Sequence, residues 1–218
     1  MGWIKDQFLD VIEYIDESGK ILIHKYNDRP SNEIKQGAKA IIREGQCGVF
    51  VKGGQIADIW KPGTYKLNSE NLPVLSSIMA FPYLFNSPIK SDFYFVNTKQ
   101  SVDNKWATKN PIMMRDIDFG ILRLRAFGTF AFKIVDVEIF MKEVFGSQEK
   151  VMTWDIVEYL SSYVSTSFSE TISELNIPAL DLASKYKMIG QNVRTKVNEE
   201  CRNLGIEFTN INIENISL

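Results

Sequence analysis

Residues 120–134 read GILRLRAFGTFAFKI, and this stretch decides the fold class. Successive side chains of a β-strand point to opposite faces. Leu122, Leu124, Ala126, Gly128, Phe130 and Phe132 therefore share one face, while Arg123, Arg125, Phe127, Thr129, Ala131 and Lys133 share the other. A strand this long with a glycine at its centre is expected to bend or bulge at Gly128. Arg123, Arg125 and Lys133 form a basic strip on the second face. It reads first as a solvated sheet surface, and alternatively as a docking strip for acidic partners or lipid headgroups.

Working upstream, short alternating or β-branched runs bounded by turn residues predict further strands at Lys20–Tyr26, Ala38–Glu44, Gln46–Lys52, Gln55–Trp60 and Asp92–Thr98. Gly53-Gly54 supplies a hairpin turn, because both central positions of a type I′ turn need positive φ. Lys61-Pro62-Gly63 supplies the next turn. Downstream, Asp136 is placed to cap a short helix closed by Gly146. Two longer helices follow, with Val157, Leu160, Val164, Phe168, Ile172 and Leu175 in one and Leu182, Tyr186, Ile189, Val193, Val197 and Leu204 in the other. Pro178 separates them. The chain closes on GIEFTNINIENISL, where Ile206, Phe208, Ile211 and Ile213 predict a last strand. Strands first and helices after argue an α+β fold.

The first segment, Gly2–Glu17, reads as an amphipathic helix ended near Gly19. At about 100° per residue, Trp3, Ile4, Phe8, Val11, Ile12, Tyr14 and Ile15 fall on one half and the charged residues on the other, with Leu9 the exception. Domain boundaries follow: residues 1–19 as a helix and 20–218 as the main domain. Insertion of this apolar face into a membrane interface is worth on the order of 5–10 kcal/mol before ordering costs. Trp3 and Tyr14 suit a headgroup boundary. Against this stand Asp6, Asp10, Glu13, Asp16 and Glu17 facing one lysine, so anionic lipid repels the polar face. Packing on the domain core or on a neighbouring subunit is the other reading. The MGWIKD start lacks the hydroxyl residue of a myristoylation signal. A second candidate contact is the aromatic loop FPYLFNSPI, with Phe81, Tyr83, Leu84 and Phe85; covering a sheet edge is the alternative.

Composition narrows the function class. The 218 residues are 44% apolar and 24% charged, as in ordinary globular domains. A chain of this length buries about 70% of its unfolded surface without metals or disulfides. A net charge of -2 offers no basic field, so nucleic acid is not expected as a partner. Cys47 and Cys201 are read as buried small hydrophobes, and a reducing compartment follows. Asn71–Ile89 is uncharged over a membrane-span length, but Pro73, Pro82 and Pro88 would break a spanning helix. No secretory signal is expected either, because acidic residues interrupt the N-terminal apolar run.

Catalytic constellations are not expected. His24, the single histidine, lies in a predicted strand and reads as a partly exposed strand residue. There is no nucleophile elbow, zinc-binding H-E-x-x-H or Walker loop. Glu199 and Glu200 are adjacent on a helix, so they do not face each other. No cofactor or metal is called for.

The order EGQCGVFVKGG, QIADIWKPGTYKL, LRLRAFGTFAFKIVD, a helix pair and LGIEFTNINIENI resembles the SPFH (band 7) superfamily of stomatins, prohibitins and flotillins. The resemblance covers roughly residues 33–218. More narrowly, the sequence is similar to the bacterial virion-core-protein-like subgroup, in which a segment like IKDQFLDVIEY precedes the domain. The resemblance implies a non-catalytic α+β module that homo-oligomerises and scaffolds membrane patches or partner proteins from the cytoplasmic face of the cell membrane. It also implies a helical assembly region after the closing strand, expected beyond Leu218. The alternative is a soluble regulatory module that recruits a membrane-stress effector or membrane protease without touching lipid itself.

Overall fold

The computed structural model of the chain describes residues 11–26, 38–66, 91–145 and 149–218. In chain order the strands are β1 (Val11–Glu13), β2 (Ile21–Lys25), β3 (Lys39–Ile42), β4 (Gln46–Lys52), β5 (Gln55–Trp60) and β6 (Gly63–Lys66). They continue with β7 (Ser91–Asn97), β8 (Ser101–Ala107), β9 (Ile112–Asp116), β10 (Gly120–Ile134), β11 (Lys150–Met152) and β12 (Ile206–Ser217). The helices are α1 (Val137–Phe140), which runs into a π turn over Met141–Phe145, then α2 (Thr153–Leu175) and α3 (Tyr186–Cys201). Strands precede paired helices and a closing strand, as the α+β expectation required. The chain divides into two units: Met1–Thr98 with Gln148–Val151, and Lys99–Ser147 with Met152–Leu218.

In the first unit, the strands β11-β2-β7-β4-β5 form one sheet and β1-β3-β6 another. The β4–β5 hairpin turns through Gly53 and Gly54 at φ of 56° and 79°, the positive values that the sequence implied there. Its core gathers Ile12, Ala40, Ile42, Phe50, Trp60, Phe93 and Phe95. Trp60 stacks on Tyr65 at 5.0 Å and meets Phe93 at 5.4 Å, and its indole donates to the Asp58 carboxylate at 2.7 Å.

The helix expected through Glu17 does not form over its described part. Val11–Glu13 is instead β1, parallel to β3 in the register Val11↔Lys39, Ile12↔Ala40 and Glu13↔Ile41. Two local causes combine. Val11 and Ile12 are β-branched and lose rotamer freedom in a helix. Just beyond them, the Asp16 carboxylate accepts from the backbone N–H groups of Ser18 and Ile21 and from the Ser18 hydroxyl. That turn competes directly with helical hydrogen bonding.

In the second unit, β10 is the spine: β12 pairs along one edge, and β8 followed by β9 pairs along the other. The predicted alternation holds, with Leu124, Ala126, Phe130 and Phe132 buried and Arg123, Arg125 and Phe127 exposed. Ala131 departs from it: this residue of the outer face is buried, where the register with β12 shifts between Ala131 and Phe132. The expected irregularity at Gly128 is present too, as a register shift between Phe127 and Gly128. Helices α2 and α3 lay Leu160, Val164, Phe168, Ile189, Val193 and Val197 into the core, all fully buried. The apolar stripe of α2 begins at Ile156 rather than Val157, which is only half-buried. Asp136 caps α1 by accepting from Ile139 N at 2.9 Å. Gly146, the expected helix stop, lies outside the described residues.

Candidate contact surfaces

The N-terminal contact set divides. Trp3, Ile4 and Phe8 lie outside the described residues. Ile12 is 2% exposed within the core of the first unit, so it is not available to lipid or to a partner. Val11 and Ile15 are exposed. Pleating explains the split, since β1 points Ile12 inward and its neighbours outward. Tyr14 stacks on His24 with ring centroids 3.9 Å apart. The lone histidine is therefore half of an aromatic pair. Burial, and then the Asp16 charge, push the Tyr14 phenol up. Burial also pulls the Asp16 carboxyl upward, but hydrogen bonds from Ser18, Ile21 and Gly19 outweigh it and hold the group below its ordinary range. The aromatic loop of Phe81, Tyr83, Leu84 and Phe85 falls outside the described residues.

The two thiols are free, Cys201 buried and Cys47 half-buried. Burial pushes Cys201 up to about 12 and also raises Cys47. Neither has the thiolate character that nucleophilic chemistry needs. Among the described residues no group of three His, Cys, Asp or Glu side chains is arranged to hold a metal ion. Likewise, no described helix is long and apolar enough to cross a membrane.

A groove between α3 and β12 is lined by Arg194, Asn198, Glu199, Arg202 and Glu207. Its polar groups are largely engaged in structure. Asn198 donates to Phe208 O at 3.0 Å and accepts from Phe208 N at 2.7 Å, and Arg194 donates to Thr209 O at 2.9 Å. Glu207 pairs with Lys133 at 3.0 Å, which removes Lys133 from the expected basic strip. Arg123 and Arg125 remain exposed.

A further surface was not anticipated from sequence. The β9–β10 hairpin turns through Asp116–Gly120 and presents Ile117 and Phe119 to solvent, 87% and 54% exposed. Asp116 holds this turn from within. Its carboxylate accepts from Asp118 N at 2.9 Å, Phe119 N at 3.0 Å and Ala179 N at 2.7 Å. These donors, Ala179 foremost, keep the Asp116 carboxyl below its usual range. Gly120, at φ 79°, closes the turn. The signal in the sequence was RDIDFGI (residues 115–121), two apolar side chains set among turn formers.

The sequence matches the SPFH domain–Band 7 family over residues 23–218. The chain belongs to that family. This SPFH chain is also 32% identical over 158 residues to the uncharacterized protein YdjI of Bacillus subtilis (strain 168), an alignment covering 72% of the chain. It spans about half of that relative, 48% of its length. The family match begins within β2, ten residues ahead of the onset read from sequence. It leaves β1 before it, along with the Ile4–Tyr14 segment on which the narrower subgroup resemblance rests. SPFH proteins are generally membrane-associated, non-catalytic scaffolds.

Proposed function

We propose that this SPFH chain is a non-catalytic, membrane-peripheral scaffold that homo-oligomerises and organises membrane patches or partner proteins at the inner face of the cell membrane. Family membership across residues 23–218 carries the reading. The distribution of apolar surface is consistent with it, because Ile117, Phe119 and Ile121 are exposed together around one turn, and such clusters mark interaction sites. Partner proteins of the membrane-stress or membrane-protease kind fit the same role.

One observation favours the second reading, a soluble module that recruits such an effector without lipid contact. Ile12, one residue of the expected lipid-facing set, is buried in protein. Vesicle flotation combined with sedimentation velocity separates the two. The scaffold reading expects species heavier than the 25.0 kDa chain and flotation with vesicles. A chain that remains monomeric and stays at the bottom of the gradient counts against it.

A further inference from the structure

The most exposed large apolar side chain among the described residues is Ile117, at the apex of the β9–β10 hairpin. Phe119 and Ile121, 54% and 66% exposed, continue the apolar surface from the apex onto the strand. The backbone contact from Ala179 to Asp116 sets Leu180, 73% exposed, close to the same turn. Four large hydrophobes so placed are not a packing accident of a floppy loop, because three N–H groups fix the Asp116 carboxylate inside the turn.

Behind the apex the chemistry changes sign. The ladder sets Ile121 opposite Arg115 and Arg123 opposite Met113, so Arg115, Arg123 and Arg125 share the outer face of the hairpin. None of the three has a carboxylate within ion-pair distance among the described residues. No acidic side chain occurs anywhere in β10, and the only one in β9, Asp116, is turned inward. At about 3.4 Å per residue, Arg123 stands roughly 10 Å from Gly120. A tip seated at the headgroup–acyl boundary therefore brings Arg115 and Arg123 to the depth of the lipid phosphates, where their apolar stems can follow the tip and their guanidinium groups stay wet. The chain as a whole carries a net charge of -2, so attraction to an anionic surface depends on local basic faces such as this one. Asp118, exposed between Ile117 and Phe119, opposes deep insertion and limits the tip to the interface.

We infer that the β9–β10 hairpin is a lipid-contact element, inserting Ile117 and Phe119 into the interface of an anionic bilayer while Arg115 and Arg123 engage the headgroup phosphates. This rests on the membrane-scaffold reading and names the part of the molecule that meets the membrane.

The test is co-sedimentation of the full chain with phosphatidylglycerol-containing and with pure phosphatidylcholine vesicles, alongside thermal melting and sedimentation velocity without lipid. The wild type should prefer the anionic vesicles. I117S/F119S should lose roughly tenfold or more in vesicle partitioning. R123Q should lose about fivefold on anionic vesicles only, and D118N should gain. Since these side chains are exposed, melting and assembly should be unchanged. If the wild type binds vesicles and I117S/F119S binds equally well, the hairpin assignment is overturned while the membrane reading survives. If the wild type binds neither vesicle, both are overturned. If I117S/F119S loses self-association in the absence of lipid, the tip is an interface between copies of the chain and the lipid assignment is wrong.

Discussion

Gly128→Ala is expected to destabilise the second unit strongly, although it adds a single methyl group. A Cβ at residue 128 would overlap the Asn212 carbonyl oxygen, with Asn212 C at 3.0 Å and Glu214 N at 3.1 Å. These are backbone atoms of β12, locked in the ladder on either side of the register shift, and cannot rotate away. Overpacking of this kind costs about 1–3 kcal/mol. The same carbonyl accepts the Trp106 indole N–H at 3.1 Å, and Trp106 is 2% exposed against Phe168. Displacing the carbonyl leaves a buried donor unpaired, at about 1–3 kcal/mol more. Alanine regains only about 0.5–1 kcal/mol over glycine in a strand. The net loss is about 1–5 kcal/mol, or a fall of about 0.5–2.5 M in urea midpoint for an m-value near 2 kcal/mol/M. Urea titration followed by circular dichroism and tryptophan fluorescence measures it. Gly54→Ala is the control, because its added Cβ meets nothing within 4 Å and only φ 79° opposes it, at about 1–2 kcal/mol. A midpoint shift for Gly128→Ala no larger than that of Gly54→Ala would refute the argument that close approach, rather than backbone conformation, requires the glycine.

Gly190→Ala should reverse the usual rule for helices. Propensity gains about 1 kcal/mol, but the Cβ would stand 2.5 Å from Ile211 O. Chemical denaturation should show a net loss of up to about 2 kcal/mol, and a variant more stable than wild type sinks the reasoning. Cys201, with its thiol pushed up to about 12 by burial, should resist aromatic disulfide reagents at pH 8 in the folded chain, while half-buried Cys47 reacts slowly. Two fast-reacting thiols before unfolding contradict this. Asp116 has its carboxyl lowered by the Ala179, Phe119 and Asp118 N–H groups. Its contribution is therefore present above the unfolded value near pH 4 and lost as pH falls through the lower folded value. Asp116→Asn should flatten the acid limb of the stability profile below about pH 4; an unchanged limb argues that the turn does not depend on the charge.

Which parts of the fold were readable depended on whether local pattern and tertiary demand agreed. GILRLRAFGTFAFKI alternates because one face of β10 is covered by helices, so its bounds could be read directly. In β12 the apolar positions slip phase, with Ile206 and Phe208 on even numbers and Ile211 and Ile213 on odd, where the register with β10 shifts at Ala131/Phe132. That slip was visible but is meaningful only once a partner strand is known. β8 was missed because its inward positions are Asn104 and Trp106, so one of its two core-facing residues is polar. Asn104 is satisfied only by Ser101 and the distant Phe130 O. At the N-terminus the apolar spacing fitted a helical period, but a strand partner 28 residues away competed for Val11–Glu13 and won. The hairpin surface stayed hidden for a related reason. Ile117 and Phe119 look like ordinary strand hydrophobes until the ladder places them beyond its last pair, Gly120↔Asp116.

Self-association, if it follows the proposed function, is constrained by how β12 is finished. A twelve-residue strand that pairs on one edge alone among the described residues invites pairing with a second chain. Here α3 blunts that edge chemically. Asn198 takes both the N–H and the C=O of Phe208, Arg194 takes Thr209 O, and the Tyr186 hydroxyl accepts from Ile216 N at 3.0 Å. Strand addition along β12 would have to break these hydrogen bonds and lift α3, whose Ile189, Val193 and Val197 are fully buried. That exchange forfeits several well-packed side chains for ladder bonds worth about 1 kcal/mol each. Assembly through side-chain faces is therefore favoured over sheet extension at this edge. The hairpin tip, where Ile117 has no comparable cover among the described residues, is left open to meet something else.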